Sequence, residues 1–215
     1  MHSPVEPPDI REQTDIPYSA ELARKALHLV ALVVPVGMAL LGRTWSIYLL
    51  VPLALVAFGA DVLRARSSAF NLFIDRFFGF MMRGTERPAQ KGVVSINGAT
   101  WILITAAVLA ILFPIRIAAS AFAMFMLSDA AAALIGRRFG KRYWTGTTRT
   151  VEGSLAFLVT GILFMWAVPH VSFWAGVAGV LAAAVAEIPE RPLNDNFRAP
   201  LAAAIVVFFL EKWLL

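Results

Sequence analysis

Seven apolar runs follow one another along the chain, at about residues 26–42, 44–63, 97–113, 115–135, 153–169, 171–187 and 199–215. Each approaches the roughly 20 residues that a helix needs to cross a bilayer. Tilt or local thinning of the bilayer accommodates the shorter ones. Residues 65–82 are also apolar, but Arg66, Asn71, Asp75 and Arg76 interrupt them. That pattern predicts an amphipathic helix lying on the membrane surface. Residues 1–21 set Glu6, Asp9, Glu12, Asp15 and Glu21 against Arg11 and carry four prolines. A signal peptide would start with a basic region and an apolar core, so this stretch reads as a polar tail, with a short surface helix near Ala20. The expected fold is an all-α, polytopic integral membrane bundle. It has about seven transmembrane helices plus one interfacial helix, with a tail over 1–21 and a single membrane-embedded domain over 22–215.

Composition sharpens this reading. The hydrophobic fraction is 59%, against about 45–50% in soluble domains. A chain of 215 residues is one domain, with no room for a separate soluble catalytic module. The absence of cysteine excludes disulfides and thiolate chemistry. The net charge of +5 is not a nucleic-acid signal, because the cations cluster between apolar runs. With the spans above, sixteen of the nineteen Lys and Arg fall on one side, in the tail, 64–96, 136–152 and 188–198. Only Arg43, Arg116 and Lys212 fall on the other. This bias predicts a cytoplasmic N-terminus and a C-terminus on the opposite side. The acids follow the same side: Asp61, Asp75, Glu86, Asp129, Glu152, Glu187, Glu190 and Asp195 lie at cytoplasmic helix ends or loops, and Glu211 lies across the membrane. His170 also lies on the far face, away from the expected chemistry. Small-residue runs such as 130–133 and 182–184 allow close helix contact.

The chemistry-bearing residues fall into clusters. Asp129 interrupts an apolar span, at a cost of roughly 2.5–3.5 kcal/mol on the insertion scale. Either it holds a divalent cation, since Mg²⁺ takes one or two carboxylates plus phosphate oxygens, or it forms a structural ion pair with a neighbouring arginine. Replacement by Asn is nearly isosteric and removes that charge, so Asp129→Asn is expected to abolish turnover with stability held or improved. The segment 136–154 follows, with Gly136, Arg137, Arg138, Gly140, Lys141, Arg142, Gly146, Arg149, Glu152, Gly153 and Ser154. Its glycines let backbone amides approach an anion, and its cations suit phosphates. An ordinary positive-inside loop has the same composition. Arg24, Lys25 and His28 share one helix face at the entry of the first span, where His28 could be a general base, a phosphate donor or part of a basic anchor. Asp61 and Arg64 sit three residues apart at the end of the second span. Glu86, Lys91, Asn97 and Thr100 precede the third. Glu187 and Asn194-Asp195-Asn196 precede the last, as helix caps or as a second metal or nucleotide contact, with Pro200 suited to a first helical turn.

At these residues the chain resembles the CTP-dependent lipid-alcohol kinases, which comprise dolichol kinase, phytol and farnesol kinases and the yeast-type diacylglycerol kinase. RKALH at 24–28 is similar to that family's opening Arg-Lys-x-x-His. DVLR at 61–64, with Asn71 beyond it, resembles its Asp-x-x-Arg segment, and ER at 86–87 with NGATW at 97–101 its Glu-rich loop and following entry. SDAAAALIGRRFGK at 128–141 and TVEGS at 150–154 resemble its CTP-binding region, and NDNFRAP at 194–200 its closing motif. The set covers residues 22–200 in order. Two positions depart: Arg149 stands where the family usually has Lys, and Asn194 where a second Asp is common.

The resemblance implies that CTP and a lipid alcohol (polyprenol, phytol, farnesol or diacylglycerol) give CDP and a lipid phosphate at the cytoplasmic membrane face. It implies Mg²⁺ or another divalent cation, held by Asp129 with Glu187 or Asp195. Gly136–Ser154 would hold the triphosphate, and Asp129, His28, Asp61 and Lys25 would carry the chemistry. Arg24, Arg64, Glu86, Thr100 and Asn196 are further candidates. The expected partners are CTP, the lipid alcohol and the bilayer, with no nucleic acid and with a homo-oligomer allowed. The alternative is a CDP-lipid-forming enzyme of the phosphatidate cytidylyltransferase type. Those enzymes share the Asp…Phe-Gly-Lys…Glu-Gly core but carry a C-terminal His-Gly-Gly signature that has no counterpart here. A transporter would need polar residues through the membrane depth, whereas these line one face.

Overall fold

The computed structural model describes residues 17–82, 86, 92–189 and 193–214. The chain folds into eight described helices: α1 (Tyr18–Val30), α2 (Val33–Arg66), α3 (Ser68–Phe78), α4 (Gly98–Leu112), α5 (Ile115–Phe139), α6 (Val151–Trp166), α7 (Phe173–Glu187) and α8 (Asp195–Leu214), with a 3-10 turn at Gly79–Met81 after α3. The expected all-α membrane bundle is what forms. Residues 1–16 of the expected tail lie outside the described residues, as do Arg83, Arg87, Lys91, Glu190 and Arg191.

Element boundaries differ from the hydropathy reading in instructive places. The first helix begins at Tyr18, within the expected tail, because Glu21, Arg24, Lys25 and His28 form a polar stripe with helical spacing that turns inward. The first expected span is interrupted at Ala31–Leu32 and resumes at Val33. The turn between the first two spans is a single residue, Gly42, at φ 74° and ψ 177° inside α2. That backbone region is essentially restricted to glycine. The surface helix is shorter than expected, yet α3 buries none of its residues and exposes Leu72, Phe73 and Phe77. The fourth expected span, 115–135, runs on to Phe139, so Gly136, Arg137 and Arg138 are helical rather than loop. Two cations in the last turn complement the negative end of the helix dipole.

The last helix starts at Asp195, ahead of the expected 199. Asn194 Oδ1 accepts from the Asn196 amide at 3.0 Å. Pro200 therefore lies inside the helix rather than in its first turn. Lacking an N–H, it leaves the carbonyl of Asn196 without its intrahelical donor. That carbonyl accepts from Thr105 Oγ1 of α4 at 2.9 Å, so the proline's missing hydrogen bond becomes an interhelical one.

α5 is the hub, touching α1, α2, α4, α6, α7 and α8. Its Phe122, Met124, Phe125 and Met126 are fully buried. Small residues let the other helices close on it and on each other. A Cβ on Gly161 would stand 2.8 Å from Val180 Cγ1 and 2.9 Å from Ser128 Oγ, and one on Gly179 would stand 2.6 Å from Val207 Cγ2. Tight contact between small residues is what holds helices together where lipid removes the hydrophobic drive. Much of the outer surface is apolar, with Leu40, Trp45, Tyr48, Val56, Trp166, Trp174 and Trp213 each at least two-thirds exposed to the surroundings. A soluble monomer does not expose apolar surface on this scale.

The bundle has two distinct ends. Asp61 at the close of α2 meets Asn97 at the start of α4, and Arg43 near the start of the second crossing meets Ala110 and Ile111 at the close of α4. The second crossing and α4 are therefore antiparallel, and Lys25 of α1, Asp129 of α5, Glu187 of α7 and Asp195 of α8 gather at the Asp61 end.

Candidate active site

Asp129 lies two and a half turns before the end of α5 and is 2% exposed. Lys25 of α1 donates to its Oδ2, and His28 Nε2 stands 3.4 Å from the same oxygen. Arg149 Nη1 lies 4.0 Å from Asp129 Oδ1 and 2.5 Å from Glu187 Oε1, while its Nη2 pairs with Asp195. Five elements thus converge: α1, α5, the loop before α6, the last residue of α7 and the first of α8. At this centre three carboxylates face Lys25 and Arg149. Buried charges of this kind persist only when paired.

An outer layer continues the network. Arg24 Nη1 donates to Glu86 Oε1 at 3.2 Å, and Arg24 Nε lies 3.5 Å from Glu21 Oε2. Glu21 is 1% exposed and also lies 3.8 Å from Arg137 Nη1. A Cβ on Gly98 would stand 3.4 Å from Glu86 Oε1 and 3.8 Å from Asn196 Nδ2, so those two candidates meet at the start of α4. Glu21 is the residue that sequence reasoning missed. It was assigned to the tail, although it leads the series 21, 24, 25, 28, whose spacing of three, four and seven marks one helix face.

The segment after α5 is a small hairpin. Tyr143 bridges Thr150, the Trp144 amide donates to the Arg149 carbonyl at 2.9 Å, and Gly146 takes φ 73° at the turn. Glu152 accepts the backbone amides of Lys141 and Arg142 at 3.1 and 3.3 Å. It lies ahead of the apolar run 153–169. The backbone amides of its own residue, then of Lys141 and Arg142, hold its carboxyl below the ordinary range. Ser154 Oγ accepts from Trp144 Nε1 at 3.0 Å. Glu152 and Ser154 thus fasten the hairpin, and the hairpin returns Arg149 to the centre. Lys141 and Arg138 remain exposed on the outer rim.

The glycines of this segment serve helix contact. A Cβ on Gly136 would stand 2.7 Å from Thr150 Oγ1, and one on Gly153 would stand 2.9 Å from the Ala132 carbonyl. One on Gly140 would collide with the Gly136 carbonyl and the Thr150 side chain. Thr150 Oγ1 meanwhile caps α6 by accepting the Gly153 amide at 3.1 Å. Gly136, Gly140 and Gly153 therefore let α5 and α6 approach at the site.

Asp61 belongs to a neighbouring cluster. Its Oδ1 accepts from Asn97 Nδ2 at 2.6 Å and lies 3.4 Å from Arg64 Nη1, and its Oδ2 accepts from the Asn97 amide at 3.1 Å. Asn97 Oδ1 in turn accepts the Thr100 amide at 3.0 Å, capping α4. Both oxygens of Asp61 are thereby engaged in holding a helix end. His28 Nε2, by contrast, is buried and makes no hydrogen bond.

Two consequences follow for the metal and for stability. Among the described residues no three His, Asp or Glu side chains form a metal-binding group by themselves, because Arg149 and Lys25 lie among the acids. Mg²⁺ asks for only one or two carboxylates when phosphates supply the rest. Glu187 Oε1, buried and paired with Arg149 Nη1 at 2.5 Å, is a hard oxygen donor of that kind. Asp129, Glu187 and Asp195 are oxygen donors of the type a divalent cation takes, and each is engaged by Lys25 or Arg149. The expectation that Asp129→Asn would preserve stability is corrected: Asp129 is the counter-charge of Lys25, whose side chain is 4% exposed, and its loss would strand that ammonium.

The chain is 24% identical over 192 residues to an uncharacterized protein of Rickettsia prowazekii, covering 86% of this chain and 92% of that one. It is 28% identical over 158 residues to the CTP-dependent diacylglycerol kinase 1 of Schizosaccharomyces pombe, covering 72% and 68%. A shorter stretch of 37 residues is 46% identical to the dolichol kinase of Saccharomyces cerevisiae, covering 17% of this chain and 7% of that enzyme. No family model and no solved structure matches the chain. The chain is a distant relative of named lipid kinases.

Proposed function

We propose that this protein is a membrane kinase that transfers the γ-phosphoryl group of CTP to a lipid alcohol. One observation carries the reading: Lys25, His28, Asp129, Arg149, Glu187 and Asp195 from five separated segments meet at one end of an otherwise apolar bundle. Similarity to kinases named for CTP, diacylglycerol and dolichol supports the donor and the acceptor class.

Phosphoryl transfer needs alignment and neutralised charge more than covalent catalysis. Lys25 and Arg149 would balance charge on the transferring group and on the leaving diphosphate. His28 Nε2 would take the proton of the lipid hydroxyl as its oxygen bonds to the γ-phosphorus and the bond to the β-phosphate oxygen breaks, releasing CDP. Asp129 with Glu187 or Asp195 would hold a divalent cation, which supplies further charge neutralisation on the phosphates. The exposed cations of the hairpin and of the end of α5 would gather the nucleotide from water. The lipid hydroxyl would arrive laterally between helices. The active face would be cytoplasmic, following the distribution of Lys and Arg.

The deciding assay gives the purified protein labelled CTP and a panel of prenols, phytol and diacylglycerol. Lipid monophosphate and CDP are the expected products. Pyrophosphate and a CDP-linked lipid would replace this reading with the cytidylyltransferase one. Orientation is tested separately with Thr148→Cys and His170→Cys in this cysteine-free chain. An impermeant reagent added to intact cells should label the second and spare the first.

A further inference from the structure

α1 and α5 lie side by side at the charged end, and their contacts run in opposite chain directions. Lys25 meets Asp129, while Glu21, one turn earlier on α1, meets Arg137, two turns later on α5. Continuing outward by the same geometry brings Tyr18 opposite Arg137 and Arg138, and these three residues line an open cavity of about 350 Å³. The Tyr18 ring is 44% exposed. At 1.5 Å per helical residue, Tyr18 lies about 10 Å from Lys25 along α1, and Arg138 about 14 Å from Asp129 along α5.

We infer that this cavity holds the nucleobase end of the nucleoside triphosphate, with Tyr18 as the stacking face. The inference rests on the function proposed above and adds to it a division of labour along the nucleotide. An exposed aromatic ring beside two guanidinium groups offers what a nucleobase and its first phosphates need: a π face, and forked donors for phosphate oxygens. The separation from the cavity to the Lys25–Asp129 pair is about that from the base of an extended nucleoside triphosphate to its γ-phosphate. Arg137 and Arg138 then meet the phosphates near the ribose, and Lys25 and Arg149 those at the transferring end. Tyr18 is a binding residue in this arrangement and takes no part in the transfer. An interfacial tyrosine serving only as a membrane anchor would lie against lipid, whereas Tyr18 lines a cavity together with two arginines.

The test measures equilibrium binding of two probes, CDP and inorganic tripolyphosphate, to the full-length protein. Tyr18→Ala should weaken CDP by roughly ten-fold, as loss of one base stack does, and leave tripolyphosphate binding unchanged. Tyr18→Phe should bind CDP nearly as the parent does, since the ring and not the hydroxyl stacks. Arg137→Ala combined with Arg138→Ala should weaken both probes, more so at low salt. The inference is overturned if Tyr18→Ala binds CDP as the parent does, if it loses tripolyphosphate equally, or if the parent binds neither probe. Tyr18-dependent CDP binding without any lipid phosphate product would refute the proposed reaction and leave this assignment standing. Lipid phosphate formation with Tyr18-independent binding would do the reverse.

Discussion

The two ends of this bundle are built from the same helices yet use polar residues in opposite ways. At the far end Arg43, Glu211 and His170 make contacts at or near helix termini. Arg43 donates to the carbonyls of Ala110 and Ile111 at the close of α4, and Glu211 accepts the Ser172 amide at the start of α7. His170 pairs with Ser120 Oγ at 2.9 Å near the start of α5. The first two contacts satisfy some of the backbone groups that a helix end leaves without an intrahelical partner. At the near end, charged side chains face one another across helices and are buried: Glu21, Lys25, Asp129 and Glu187 are each at most 3% exposed. The second arrangement goes beyond what helix ends require, and the proposed chemistry rests on it.

The sharpest way to break this contrast is Asp129→Asn. Turnover should fall at least a hundred-fold, the scale for removing a preorganised electrostatic group. Stability should also fall, by about 3–5 kcal/mol, because Lys25 is left buried without its counter-charge. The double variant Lys25→Met with Asp129→Asn should recover most of the stability and none of the turnover. Melting and activity measured on one preparation separate the two effects, and a double variant that regains activity would remove the pair from the chemistry.

Arg149→Lys is the next largest. Lysine keeps the charge but cannot fork between Glu187 and Asp195. A loss of about ten-fold in kcat/KM is expected, with the protein still folded. Unchanged kinetics would mean that the fork is dispensable.

Asp61→Asn should show the opposite balance. Asp61 serves the cap of α4, so melting should drop by the equivalent of about 1–3 kcal/mol while turnover per folded molecule holds within about two-fold. A selective loss of turnover would move Asp61 from the frame into the site.

The smallest effect is expected at the far end. His170→Ala removes its contacts with Ser120 Oγ and the Arg116 carbonyl, at about 0.5–1.5 kcal/mol, and should leave kcat and KM unchanged. Any change in catalysis there would contradict the division between the ends.

Much of the frame was legible because crossing a bilayer demands length and apolarity, and both can be read in one dimension. The runs at 97–113 and 171–187 coincide with α4 and α7 to within two residues. The members of the site were legible one cluster at a time. A lone carboxylate in an apolar span announces itself, as Asp129 does, and Lys25, His28, Arg149, Glu187 and Asp195 each stand out beside an apolar run. Their pairing was not legible, since Arg149, Glu187 and Asp195 meet through interhelical packing that no local pattern encodes. Gly136, Gly140 and Gly153 illustrate the same limit. Their spacing suggested an anion cradle, while the close approach of α5 and α6 is what their missing side chains permit. Glu21 went unseen because prolines and acids upstream masked the start of its helix.

Gly42 has a consequence for biogenesis. A single residue reverses the chain between two membrane crossings, and a Cβ there would meet nothing within 4 Å. The constraint is therefore torsional rather than steric, worth about 1–3 kcal/mol for any other residue. With no loop to translocate ahead of it, residues 18–66 would enter the bilayer as one helical hairpin, the second limb delivered with the first. The reversal also leaves Arg43 beside α4, where its guanidinium awaits the carbonyls of Ala110 and Ile111. Insertion of the first hairpin thus sets in place the donor for the closing carbonyls of the helix synthesised after it.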